Sequence, residues 1–112
     1  MEFEIIEQTD ELTHVALRGR LDTLGTDQVE LKFTATVAPA GNNTIVDISE
    51  LTFLASMGIR MLLSVAKTLA GKQARMVLLA PQALVRESID HAALDAVIPV
   101  ARDMDEARAA LA

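Results

Sequence analysis

Short β-prone apolar runs alternate with longer stretches of helical periodicity along most of this chain, and that alternation is the strongest limit on its fold. Ala74 to Ala80 is apolar throughout except for Arg75, the composition of a parallel strand covered on both faces. Thr44 to Ile48 is a second such run, broken by Asp47, and Val97 to Ala101 a third. Between and around these runs lie segments of helical length. Val29, Phe33 and Val37 recur one turn apart in a helix predicted from about Thr26, as N-cap, to Val37, ended by Pro39-Ala40-Gly41-Asn42-Asn43. A second helix is predicted from near Ser56 to about Ala70, with Gly71 as its stop. A third opens at Pro81 with Val85 and Ile89 inward, and Met104 to Leu111 closes the chain behind Asp103. At the start, Phe3 to Gln8 and Leu12 to Leu17 flank Thr9-Asp10-Glu11 at hairpin spacing. The predicted order is ββαβαβαβα, an α/β fold with a mixed, mostly parallel sheet of about five strands and helices packed against it. Its 112 residues suit one domain spanning 1–112.

Composition narrows the function. Hydrophobic residues are 51% of the chain and aromatic ones 3%, so the core is aliphatic. Sixteen Asp and Glu against ten Lys and Arg give a net charge of −6, which repels nucleic-acid backbones and anionic membranes. Aromatic platforms for stacking single-stranded bases are also missing. With no Cys there is no thiolate nucleophile, disulfide or Cys-based zinc site. Glu2 and Glu4 stand where a signal peptide is basic, and no apolar run reaches membrane-spanning length. The expectation is a soluble, cytoplasmic protein, with neither nucleic acid nor membrane as partner.

The segment Thr44 to Arg60 carries the functional signal: a buried strand, a short loop, then Ser56 and Gly58 at the opening of an amphipathic helix. Unpaired N–H groups and the positive end of the dipole favour a phosphate there, while Ser is also a common N-cap. Projected at helical spacing, Ile59, Leu62, Leu63, Ala66, Leu69 and Ala70 form the predicted core stripe, leaving Met57, Met61, Ser64 and Thr68 outward, with Val65 at the edge of that face and Arg60 and Lys67 flanking it. Exposed methionines suit adaptable protein-binding surfaces. Gly58 either permits a close approach of the helix start to a neighbouring loop or strand or keeps the backbone beside Ser56 open to a partner.

Val46-Asp47-Ile48-Ser49-Glu50-Leu51-Thr52-Phe53-Leu54-Ala55-Ser56-Met57-Gly58-Ile59 resembles the signature of STAS domains, the family of bacterial anti-sigma factor antagonists. That signature is an aliphatic strand ending in Asp-Leu-Ser, a short run through Phe-Ile, then Asp-Ser-Ser/Thr-Gly-Leu opening a helix. Gly19-Arg20-Leu21-Asp22 resembles the family's Gly-x-Leu-Asp, and Val85 to Ile89 and Leu94 to Val100 follow its later pattern. The resemblance implies that Ser56 is phosphorylated by an ATP-dependent kinase that is also an anti-sigma factor. It further implies that the unphosphorylated protein binds this kinase, and that a phosphatase resets the switch. Met57, Gly58, Arg60 and Met61 would form the adjoining docking surface, with Asp22, Thr23 and Asp47 as loop contacts. Two positions depart from the pattern: the acid before the serine is Ala55, and the second Ser/Thr is Met57.

A different role for the same fold is a constitutive scaffold or transport accessory subunit with a fixed protein partner. An enzyme is disfavoured. Ser56 would need a base to act as nucleophile, and His14 and His91, the only histidines, are placed by no motif. Asp22 and Asp47 make a weak metal pair that capping or loop solvation explains more simply, and no glycine-rich phosphate loop is present. No cofactor is implied, and a monomer or weak dimer is expected.

Overall fold

The computed structural model describes residues 1–112. In chain order the elements are β1 (Glu2–Gln8), β2 (Leu12–Leu21), α1 (Thr23–Ala40), β3 (Asn43–Asp47), β4 (Leu51–Leu54), α2 (Ser56–Gly71), β5 (Met76–Leu79) and α3 (Ala83–His91). A 3-10 turn (Leu94–Ala96), β6 (Val100–Ala101) and α4 (Met104–Leu111) complete the chain. The sheet is ordered β1-β2-β3-β5-β6, with β4 also paired to β2. Only the β1–β2 hairpin is antiparallel; the other pairings are parallel. The mixed α/β architecture is the expected one, with β4 and the 3-10 turn added.

The added strand decides where the functional segment lies. β2 continues past the expected end at Leu17 to Leu21, so it has length for two partners. Leu12 to Ala16 pair with β3, and Gly19 to Leu21 pair with β4. Gly19 makes the change of partner possible. Its φ of +101° lies where side chains are rarely tolerated, and the β2–β4 register shifts beside it. The Gly19 N–H donates to the Glu50 carbonyl at 3.0 Å, and the Thr52 hydroxyl donates to the Gly19 carbonyl at 3.1 Å.

Helices cover the two sheet faces unequally. α1, α2, α3 and the 3-10 turn lie on one face, where Val29, Phe33, Leu62, Leu69, Val85, Ile89 and Leu94 pack with Val15, Leu17, Val46 and Leu78. Burying each such side chain stabilises by roughly 1.5–3 kcal/mol. α4 covers the other face, bringing Ala107 against Ile45, Val77, Leu79 and Ala101. β3 and β5 are thus enclosed on both sides, which is why their sequences are almost uninterrupted apolar runs. Phe3 meets Phe33 edge-on at 6.0 Å between centroids and ties the outer strand β1 to α1.

Several predicted boundaries move. α1 begins at Thr23, one turn before the expected cap at Thr26, because the Asp22 carboxylate accepts the Gly25 N–H at 2.8 Å. Thr26 is instead wholly buried inside the helix. Pro39 remains in the last turn of α1, and Gly41, at φ 65°, ends it. α3 begins at Ala83, so Pro81 lies outside it rather than in its first turn. The predicted strands at 74–80 and 97–101 shorten to β5 and β6.

Candidate functional site

β2 and β4 run parallel, and each delivers its carboxyl end into a helix. Leu21 and Leu54 are register partners, so α1 and α2 open beside one another. The Ala55 N–H donates to the Leu21 carbonyl at 3.0 Å, and the Ile59 N–H to the Ala55 carbonyl at 3.1 Å. The first bond ties the start of α2 to the end of β2, and the second is the opening turn of the helix itself.

Gly58 brings the two still closer. A Cβ at this position would lie 2.6 and 2.7 Å from Cγ and Cδ2 of Leu21, and 3.1 Å from its carbonyl oxygen. Gly58 is buried, so close approach is its role, and it does not hold the backbone open to a partner. This approach also fixes the helix's rotation. Gly58, Met61, Leu62, Val65 and Leu69 face inward, whereas Ile59, Leu63 and Ala66 are only partly buried. Met61, expected on the docking surface, is 2% exposed and belongs to the core. Met57 is half-buried at the rim, and Ala70, assigned inward, is exposed.

Ser56 is exposed. It is not the N-cap of α2: Ala55 occupies that position in extended conformation and offers no side-chain hydrogen bond. Ser56 is the first helical residue. α1 and α4, by contrast, are capped by Asp22 and Asp103. Ser56, Arg60, Ser64 and Lys67 continue along α2 as an exposed polar stripe.

Thr23 is the exposed first residue of the neighbouring α1, and Asp22 precedes it, half-buried. The Gly25 N–H, with a smaller contribution from Arg20, holds the Asp22 carboxyl below the usual aspartate range. Asp22 is therefore occupied as a cap. Arg20 fills the variable position of the Gly19–Asp22 motif, yet its guanidinium lies 4.3 Å from the centroid of the Phe53 ring and its Nε is 3.4 Å from Asp22 Oδ2. Arg20 and Phe53 are cross-strand partners of β2 and β4, so no signal exists for this pair until β4 is recognised. Leu24, 67% exposed, adds an apolar side chain in the first turn of α1.

Asp47 does not join this group. It pairs with Ala16, five positions before Leu21 on β2, a distance of about 17 Å along a strand. Its Oδ1 accepts the Ser49 N–H at 2.9 Å, which makes it a turn former. His14 sits on β2 opposite Glu7, and His91 closes α3. No three His, Asp or Glu side chains converge in an arrangement that could hold a metal ion, and no helix is long and apolar enough to cross a membrane.

Comparison with known proteins matches this architecture. The STAS domain family model matches residues 5–107. BtrV of Bordetella bronchiseptica, named as an anti-sigma factor antagonist, is 28% identical over 105 residues, covering 94% of this chain and 90% of its own. The anti-sigma factor antagonist SpoIIAA in its unphosphorylated form superposes with a TM-score of 0.77 at 24% identity, covering 93% of this chain and 91% of that one. The phosphorylated form of SpoIIAA, from Bacillus, gives 0.69 at 23% identity, with 97% and 98% covered. The chain belongs to the STAS domain family.

Proposed function

We propose that this STAS domain, residues 1–112, is a regulatory protein-binding module of the cytoplasm. It acts as an anti-sigma factor antagonist, monomeric or weakly dimeric, and is switched by phosphorylation of Ser56. Its partner is an anti-sigma factor with ATP-dependent serine kinase activity, and a phosphatase restores the free hydroxyl. In the forward step Ser56 Oγ forms a bond to the γ-phosphorus of ATP as the bond to ADP breaks, and the hydroxyl proton passes to a base of the kinase. The observation that carries this reading is an exposed serine at the opening of a helix whose backbone is locked to β2 by Ala55 and Gly58. A relative described in both unphosphorylated and phosphorylated forms supports it.

The surface next to Ser56 consists of Thr23, Leu24, Met57 and Arg60, with Asp22 holding the start of α1 in place. A phosphate adds a charge of about −1.5 to −2 and three acceptor oxygens. In a docking face that charge must be desolvated or repelled, so affinity falls without any refolding. The test is incubation of the purified protein with ATP and lysate of the source organism, beside Ser56→Ala, followed by intact mass. One phosphoryl group on the wild type alone is the expected result. Equal modification of both proteins, or of neither while both capture the same partner, overturns the switch; the second outcome leaves a constitutive scaffold.

A further inference from the structure

α2 is the one helix of the four without a carboxylate. From Ser56 to Gly71 its only charged side chains are Arg60 and Lys67, although the chain carries a net charge of −6. Arg60 follows Ser56 by one turn, and both are exposed. Arg18, Arg20, Arg86 and Arg102 are each engaged by a carboxylate, whereas Arg75 and Arg108, like Arg60, are not. Arg60 is in no ion pair of the structure, and the nearest upstream flank of Ser56, where the family pattern has an acid, is Ala55. Side chains four apart on a helix have Cβ atoms about 5–6 Å apart, and an anion N-terminal to a cation is the favoured order. A guanidinium also matches two phosphate oxygens at once.

We propose that phosphorylation of Ser56 draws Arg60 back onto the new phosphate, so that one modification adds an anion to the docking face and withdraws its cation. The inference rests on Ser56 being the phosphorylated residue. In the unmodified protein Arg60 is free to meet a carboxylate of the partner. After modification its donors are taken up by the phosphate one turn away, and the contact is lost along with the neutral serine. Ala55 makes the pairing more effective, because no carboxylate adjoins Ser56 in the chain; the Asp22 carboxylate across the helix starts is already engaged by the Gly25 N–H and Arg20.

Phosphoserine introduced at position 56 during translation tests this without any kinase. The second ionisation of the phosphate is followed by phosphorus NMR across pH, in the wild-type background, in Arg60→Gln and in Arg60→Lys. Pairing stabilises the dianion, so the phosphate pKa in the wild-type background lies lower than in Arg60→Gln by about 0.15–0.4 unit, with Arg60→Lys between them. The Arg60 Nε–H resonance moves as the phosphate ionises and stays fixed in the unmodified protein. Coincident titration curves and a stationary Nε–H signal overturn the pairing. That outcome leaves kinase modification of Ser56 untouched, whereas a kinase that ignores Ser56 overturns the functional reading and leaves the measured pairing intact.

Discussion

Gly58→Ala is the sharpest test of how Ser56 is positioned. In a solvent-facing helical position, replacing Gly by Ala stabilises by roughly 1 kcal/mol. At Gly58 the new methyl group would meet Leu21 Cγ and Cδ2 at 2.6 and 2.7 Å, about 1 Å inside a favourable carbon–carbon separation. Leu21 is wholly buried, so relief requires a strained rotamer or a lifted helix start, at a cost of about 1–3 kcal/mol. Overpacking exceeds the gain in propensity, and the net expectation is destabilisation of about 1–2 kcal/mol, read as a lower urea midpoint at unchanged m-value. Leu21→Ala removes both close atoms and leaves only the carbonyl at 3.1 Å. In that background Gly58→Ala should be neutral or stabilising, giving a coupling of roughly 1–3 kcal/mol in the double-mutant cycle. At Gly71, the last residue of α2, a Cβ would meet no atom within 4 Å, so Gly71→Ala is the control that should not destabilise. If Gly58→Ala raises the midpoint as Gly71→Ala does, the close approach does not fix the helix, and the rotation assigned to α2 loses its cause.

The same rotation separates two methionines. Met61→Ala should cost about 2–5 kcal/mol, as expected for a buried side chain, and Met57→Ala less than about 1 kcal/mol; equal shifts in urea midpoint would contradict the inward placement of Met61. The Thr13 hydroxyl is buried without a hydrogen-bond partner, so Thr13→Val should leave thermal stability unchanged or raise it by about 1 kcal/mol, and a clear loss would reveal a missed partner. The Gly25 N–H and Arg20 lower the Asp22 pKa, so the ionised carboxylate stabilises the fold above its unfolded-state pKa, near about 3.9. That contribution is lost as pH falls through the lower folded-state value. Asp22→Asn keeps an oxygen acceptor and removes the titration. The stability gap between it and the wild type should therefore close on going from neutral pH to about pH 2, and a gap that persists would place the acid sensitivity elsewhere.

The architecture is legible in the sequence because its two controlling signals are local. Apolar runs such as Ala74 to Ala80 name buried parallel strands, and the spacing of Val29, Phe33 and Val37 names the inner face of α1. Ser56 is legible through its place in a motif. What stays hidden depends on partners distant in the chain. Leu51 to Leu54 become a strand only because β2 continues past the register shift at Gly19 to Leu21 and pairs with them. Until that pairing exists, Arg20 has no Phe53 beneath it, and Asp47 looks adjacent to Ser56 although β4 carries Ser56 a further strand length away. Asp22 can be read as the cap of α1 from its own position, but Thr26 offers a competing cap one turn later.

The misassigned face of α2 has a different origin and the larger consequence for the site. A count of apolar side chains gives glycine no weight, so it favours Ile59, Leu63 and Ala66 as the stripe. Packing gives glycine decisive weight at one place, because only a residue without Cβ lets the helix approach Leu21 this closely. Once Gly58 faces inward, the period of the helix carries Met61 and Val65 in with it. The same rotation leaves Ser56 and Arg60 on the outer stripe. Residue 58 therefore governs more than stability: it sets the direction in which the serine and its neighbouring cation are presented. A variant that relieved the clash by turning the helix would keep both residues in the sequence and lose their common face.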